Sequence, residues 1–190
     1  MDFLNSIILL TNFIIVPGIT YGSQLALGAI GVTLIYGVLR FANFAYGDLM
    51  AFGTMVVILM TWYLQSKGIS FGLLPTALLA LPIGILLTIA VSLFFDKTVF
   101  EYYRNKKSNP VTFIVVSLGI MFVLNAVVRI IIGPNDINFM DGHKFIMKAR
   151  EFKQLTGLNE GLAIKSTQVI TLITTIILSL IHISEPTRPY

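Results

Sequence analysis

The 190-residue sequence contains no cysteine and very few charged side chains. The missing cysteines exclude disulfide bonds, thiolate metal sites and cysteine nucleophiles. Charged residues make up 12% of the chain, whereas a soluble domain has about 25%. Hydrophobic residues make up 56% and the mean hydropathy is +0.86, which excludes a disordered chain as well. The composition therefore indicates a helical integral membrane protein that lies in a lipid bilayer.

Sequence motifs for enzymatic chemistry are also lacking. We find no phosphate-binding loop, no HExxH zinc motif and no plausible Ser-His-Asp set. His143 is interpreted as a solvated side chain, because no second metal ligand lies near it in the sequence. The net charge of +4 does not indicate nucleic-acid binding, since the basic residues lie in short loops between apolar runs. We therefore predict no catalytic residues, no metal and no cofactor.

Long runs without a charged residue predict the membrane segments. A bilayer core about 30 Å thick needs roughly 20 apolar residues per helix, and backbone groups in hydrocarbon must be satisfied within the helix. The first run is long enough for two segments, 3–16 and 19–39, with a break or kink at Pro17. The fold class is therefore all-α and polytopic, with five to six membrane segments. The charge-free runs are 3–39, 49–66, 68–95, 108–128 and 166–184.

The distribution of lysine and arginine predicts the orientation of the chain. Loop 96–109 carries four basic and two acidic residues, so we expect it to face the cytoplasm. Loop 133–165 carries five basic and four acidic residues and is then extracytoplasmic. The last apolar run returns the chain to the cytoplasm.

Polar residues between two apolar runs form the first candidate site. The connection between the two apolar runs is too short for a solvated loop. We therefore expect its residues to line a cavity or to bond to neighbouring helices. These residues are Asn43, Tyr46, Gly47 and Asp48. The alternative is a simple connector, in which Asp48 caps a helix that begins at Leu49 and Gly47 supplies the turn.

A second set of polar residues lies on one face of a later predicted helix. Ser117, Asn125 and Arg129 are separated by multiples of four residues. Arg129 either snorkels to the membrane interface or pairs with a carboxylate. Asn125 either holds helices together or contacts a ligand.

Small residues recur every four positions along the second predicted segment, and such rows allow helices to approach closely. Packing within the chain and packing against a partner subunit both agree with this pattern. The candidates for helix packing are Gly18, Gly22, Ala26, Ala29, Thr33, Gly37 and Gly119.

The segment 22–56, GSQLALGAIGVTLIYGVLRFANFAYGDLMAFGTMV, resembles the N-terminal signature of the LivH-like permeases. These are the membrane subunits of branched-chain amino-acid ABC importers. In the family, a helix rich in small residues ends in Tyr-Gly and is followed by Asn-Phe-Ala-His-Gly and an acidic residue. Tyr46 stands where the family usually has histidine, which removes an ionisable imidazole. Ser117 to Gly119, Asn125, Arg129 and Gly133-Pro134 resemble a later helix of the family and its exit turn.

The resemblance implies an ATP-driven importer of the bacterial inner (plasma) membrane. The permease would work with a second permease subunit, two ATPase subunits that hydrolyse ATP, and an external solute-binding protein. Urea and short-amide importers share these motifs, so the substrate stays open. Two alternatives from other classes are a membrane enzyme that uses Asp48 and Tyr46, and a helix-interaction or assembly protein. The substrate-pathway candidates are Asn43, Tyr46, Gly47, Asp48, Asn125 and Arg129.

The resemblance covers about residues 11 to 177. Residues 178–188, LSLIHISEPTR, look like the translation of an adapter used in sequencing libraries. We therefore expect 1–177 to be an incomplete permease transmembrane domain and 178–190 to be a non-native tail. The alternative is a natural helix end at Ser184. Family members continue with a cytoplasmic coupling loop, which would be missing here.

Overall fold

The computed structural model describes residues 2–72, 74–135, 139–141 and 145–184, and most of them are helical. Two short strands, β1 (Phe145–Met147) and β2 (Ile164–Lys165), pair antiparallel. The predicted all-α polytopic class is confirmed. The α-helices are α1 (Asp2–Leu10), α2 (Val16–Leu39), α3 (Tyr46–Ser66), α4 (Ala77–Phe95), α5 (Glu101–Asn105), α6 (Pro110–Ile132), α7 (Ala149–Thr156) and α8 (Ser166–Ser184).

Four helical stretches among the described residues are long and apolar enough to cross a membrane, and a shorter apolar helix covers Ser166–Ile181. Each charge-free run of the sequence overlaps one of these five helices, and three of the helices extend past their run to include charged residues. Most of their large apolar side chains are exposed in this chain, which is expected of helices that contact lipid or other subunits. The four long stretches are Phe3–Leu39, Tyr46–Ser66, Ala77–Asn105 and Pro110–Ile132.

The predicted break between 3–16 and 19–39 is wrong, because residues 3–39 form one continuous helix, while the alternative of a kink stays a prediction. A π-helical turn, Thr11–Ile15, joins α1 to α2, and the N–H of Val16 bonds to the carbonyl of Thr11. Proline lacks an N–H and crowds the carbonyl four residues before it. A wider turn directly before Pro17 accommodates this crowding without ending the helix.

The chain divides into two units, of which the first comprises residues 1–31, 73–75 and 142–190. Within it, Asn12 holds the loop after α7 from both sides. Its Nδ2 donates to the carbonyl of Gly161 over 2.6 Å, and its Oδ1 accepts from the N–H of Ala163 over 3.0 Å. Asn12 of the first segment therefore binds a loop that lies about 150 residues away in the sequence.

The second unit comprises residues 32–72 and 76–141 and contains α3, α4 and α6. α3 and α4 approach most closely at two glycines that the sequence analysis did not single out. A Cβ on Gly53 would lie 2.6 Å from Thr88 Oγ1, and a Cβ on Gly84 would clash with the side chain of Val57. These glycines allow the two helices to pack.

The small residues predicted to pack have open space beside them in the described part of the chain. A Cβ placed on Gly18, Gly22, Gly37 or Gly119 would meet no atom within 4 Å. Ala26, Ala29 and Thr33 are exposed, and α2 contains no buried residue. Of the two interpretations, packing within this part of the chain is therefore not observed. Packing against a partner subunit stays a prediction.

A cluster of buried apolar side chains in the second unit anchors the connection between α2 and α3. Phe41 contacts Phe100 and Phe113, with ring centroids 5.7 and 5.2 Å away. Ala45 is also buried, and the backbone N–H of Phe44 donates to Ser117 Oγ over 3.1 Å. The connection is therefore held against α6.

Candidate functional site

Hydrogen bonds of Asn43 stabilise the connection between α2 and α3. α2 ends at Leu39, and Arg40 follows in the left-handed region with φ 58°. Asn43 Oδ1 accepts from the N–H of Ala45 over 3.1 Å, and the Asn43 carbonyl accepts from the N–H of Tyr46 over 3.3 Å. This local turn, made by an asparagine, starts α3.

The alternative in which Asp48 caps the helix is wrong. α3 begins at Tyr46, its N-cap is Ala45, and no side chain makes the cap hydrogen bond. The turn is stabilised by Asn43, and the helix therefore begins two residues before Asp48. Asp48 lies inside the first turn, where a carboxylate is favoured by the helix dipole.

A cleft of about 530 Å³ opens beside this connection, and its volume lies in the range of small-molecule sites. Asn43, Tyr46 and Gly47 line it, together with Thr33 and Tyr36 of α2. Apolar side chains form the rest of its surface, so an apolar ligand group fits the walls while an amide and hydroxyl groups provide the polar contacts. The apolar lining residues are Val32, Ile35, Ala42, Phe44 and Met50.

Asn43 also lines a second cavity, of about 380 Å³, in the same unit. Ser92 and Asp96 contribute polar groups there, among mostly apolar neighbours. Asn43 therefore borders both cavities. The sequence analysis missed Ser92 and Asp96, which lie about 50 residues away from Asn43 in the sequence and give no local signal of this proximity.

Asp48, Asn125 and Arg129 form a chain of side-chain hydrogen bonds between α3 and α6. Asn125 Nδ2 donates to Asp48 Oδ1 over 2.9 Å, and Arg129 Nε donates to Asn125 Oδ1 over 2.8 Å. The amide thus links the carboxylate to the guanidinium, which are not in direct contact. Asn125 and Arg129 are exposed, and Asp48 is half-buried. Such groups on membrane helices require water or a protein partner beside them.

The six pathway candidates divide into two places on the fold. Residues two apart on an α-helix differ by about 200° in direction, so Tyr46 and Asp48 face opposite sides of α3. Asn43, Tyr46 and Gly47 lie at the cleft, and Asp48 bonds to α6 with Asn125 and Arg129. Ser117, predicted on the same face of α6, contacts the connection through Phe44.

No group of three or more histidine, aspartate or glutamate residues that could hold a metal ion occurs in the described ranges. His143 lies outside those ranges, so its interpretation as a solvated side chain stays a prediction.

The family described as the branched-chain amino acid transport system / permease component matches residues 14–184. This chain belongs to that family. The membership confirms the resemblance drawn from the Asn43 segment. Together with the long apolar helices, it makes the chain an integral membrane protein of a permease family. It also argues against a membrane enzyme, because the family consists of transport components.

Two curated relatives illustrate the similarity. The high-affinity branched-chain amino acid transport system permease protein LivH of Escherichia coli (strain K12) is 30% identical over 121 residues, which cover 63% of this chain and 38% of that protein. LivH of Salmonella typhimurium (strain LT2) matches with the same identity and coverage. The matched region thus spans little more than a third of each relative. No solved structure matches the chain.

Proposed function

We propose that this chain is a permease subunit of an ATP-driven importer and forms part of the pathway for branched-chain amino acids. The observation that carries the proposal is the cleft at the Asn43 connection. Its walls are apolar, and its polar groups are few and lie close to Asn43 and Tyr46. A branched aliphatic side chain gains about 0.8 kcal/mol per buried CH₂ in such surroundings.

Urea or a short amide is the other substrate class of these importers. Such a molecule has little or no aliphatic surface, so an apolar wall contributes little to its binding. The lining of the cleft therefore favours the amino acids, as do the names of the curated relatives.

The proposed assembly contains a second permease subunit, two ATPase subunits that hydrolyse ATP, and an external solute-binding protein. The exposed face of α2, with its small residues, supports a subunit contact. We place the assembly in the bacterial inner membrane, with 96–109 in the cytoplasm and 133–165 outside, on the basis of the charge distribution. Residues 96–105, predicted as part of a loop, are helical and continue the stretch that begins at Ala77.

We also propose that 178–190 is a non-native tail. The support is the adapter-like sequence of residues 178–188. That α8 continues to Ser184 does not decide the question, because the apolar residues of such a tail would extend a helix equally well. Sequencing the gene beyond codon 177 tests this, and a continuous natural reading frame through LSLIHISEPTR would contradict it.

Labelling of a single cysteine in the cleft tests whether the cleft belongs to the pathway. Gly47→Cys is suitable because a Cβ there meets no atom within 4 Å and residues 1–190 contain no cysteine. Cysteines elsewhere in the full-length protein and its partners are first replaced by serine. In the full-length protein with its partners, we expect a membrane-impermeant thiol reagent to label this position. Added leucine should slow the labelling several-fold, since a substrate in the cleft covers the thiol.

The matched control is Leu86→Cys, which is 67% exposed on α4 and lies outside both cavities. A thiol that faces lipid stays protonated and unreactive, so this variant should label slowly and without protection by leucine. Labelling of Gly47→Cys at the rate of Leu86→Cys would contradict a water-filled cleft.

A further inference from the structure

A groove of about 240 Å³ lies between the end of α2 and the start of α6, on the second unit. Two arginines, Arg40 and Arg104, line it, and both are exposed. Two cationic side chains in an otherwise apolar groove favour a ligand that has an anionic part and an apolar part. The remaining lining residues are Val38, Leu39, Phe41, Pro110 and Phe113.

The groove lies where the membrane helices end. α2 ends at Leu39, and α6 begins at Pro110. Arg104 is at the end of the continuous helical stretch Ala77–Asn105, roughly 40 Å from its beginning at 1.5 Å per residue. This exceeds the hydrocarbon core of about 30 Å, so Arg104 reaches the depth of lipid headgroups.

The guanidinium of Arg104 is held in place by Asp96. Its two terminal nitrogens donate to the two carboxylate oxygens over 2.7 and 2.8 Å. Because arginine has five N–H donors, three stay available for an anion. A guanidinium oriented in this way is suited to the charge-assisted, paired hydrogen bonds that phosphate oxygens accept.

Further positive charge lies close by in the sequence. Lys106 and Lys107 follow α5, and the ammonium of Lys106 lies 4.4 Å from the ring centroid of Tyr102. A hydrogen bond to Tyr102 raises the pKa of Lys106. Basic residues clustered at a membrane boundary attract anionic lipids.

We propose that this groove binds an anionic phospholipid, with the phosphate at Arg40 and Arg104 and an acyl chain along Val38 and Phe113. Free phosphate would contact the arginines but not the apolar walls, and an acidic protein surface would not enter a narrow apolar groove. A phospholipid contacts both the arginines and the apolar walls. This site is separate from the cleft at Asn43 and does not depend on the transported substrate.

Lipid titration of the full-length protein, purified with its partner subunits in a non-ionic detergent and followed by native mass spectrometry, tests the proposal. We expect phosphatidylglycerol to bind about tenfold or more tightly than phosphatidylcholine. Arg40→Gln and Arg104→Gln should each weaken phosphatidylglycerol binding about fivefold, and the double variant about 30-fold. Arg40→Lys should retain most of the affinity, because it keeps the charge.

The matched control is Lys67→Gln, which removes one positive charge just after α3 and outside the groove. It should bind phosphatidylglycerol as the unchanged chain does. If Arg104→Gln loses helical structure because Asp96 has lost its partner, Arg40→Gln decides the question, since Arg40 takes no part in that ion pair.

Four outcomes would overturn the proposal. The first is equal binding of the two lipids, and the second is an effect of Lys67→Gln as large as those of the arginine variants. The third is binding of inorganic phosphate as tight as that of phosphatidylglycerol. If the arginine variants instead keep lipid binding and lose an ATPase subunit on purification, the groove is a protein contact and the lipid site is wrong.

Discussion

Replacing Gly47 with leucine in the full-length protein is expected to reduce leucine uptake tenfold or more. Gly47 lines the cleft, and there is open space where its Cβ would be. A leucine side chain can therefore enter the cleft without displacing the helix backbone. It would occupy part of a volume of about 530 Å³ and narrow the passage beside Tyr46 and Asn43.

Gly28→Leu provides the control for this substitution. Gly28 also lies within a helix and has open space beside it, but it does not line either cavity. Both variants remove a helical glycine, so both should fold and reach the membrane. Normal uptake by Gly47→Leu at normal membrane levels would show that the cleft is not part of the pathway.

Breaking the link between α3 and α6 is expected to have the second large effect. Asn125→Leu removes the amide that bonds to both Asp48 and Arg129, and each loses a partner within the membrane helices. Interhelical hydrogen bonds of this kind contribute about 0.6 to 2 kcal/mol. We expect a lower unfolding temperature and uptake reduced tenfold or more, measured in the full-length protein.

Variants of Asp48 separate charge from hydrogen bonding at the same link. Asp48→Ala should impair uptake, whereas Asp48→Asn retains an oxygen that can accept from Asn125 and should retain part of the stability. Asn105→Leu, at the exposed end of α5, is the control for loss of an amide. The role of the link would be refuted by unchanged uptake in both Asp48→Ala and Asn125→Leu at normal membrane levels.

The helices could be predicted from the sequence because charge and hydrocarbon exclude each other. Each charge-free run overlaps a helix, and the polar residues between or on those runs lie at the connection and on α6. The spacing of Ser117 and Asn125 predicted one common face of α6, and the structure shows that this face meets the connection and the start of α3.

Features that depend on distant contacts could not be predicted. Rows of small residues look alike in sequence, but only the neighbouring helix decides which glycine is needed. Gly53 and Gly84 meet side chains, whereas Gly18 and Gly22 meet none among the described residues. Nothing near Asn12 in the sequence indicates its bonds to the loop after α7.

Local geometry also decided two points that residue types alone left open. A proline usually ends or kinks a helix, but the π turn before Pro17 lets the helix continue. Tyr46 and Asp48 are neighbours in the signature, yet their spacing of two places them on opposite sides of α3. Helical periodicity applied within the signature would have separated them.

ATP-dependent uptake of labelled leucine into vesicles tests the proposed function most directly. The vesicles would contain the full-length permease with its partner permease and ATPase subunits, and the solute-binding protein would be supplied on the outside. We predict uptake that requires ATP and this subunit, and that excess isoleucine or valine inhibits but urea does not. Uptake that persists without this subunit, or that urea inhibits as strongly as isoleucine, would contradict a role in branched-chain amino-acid import.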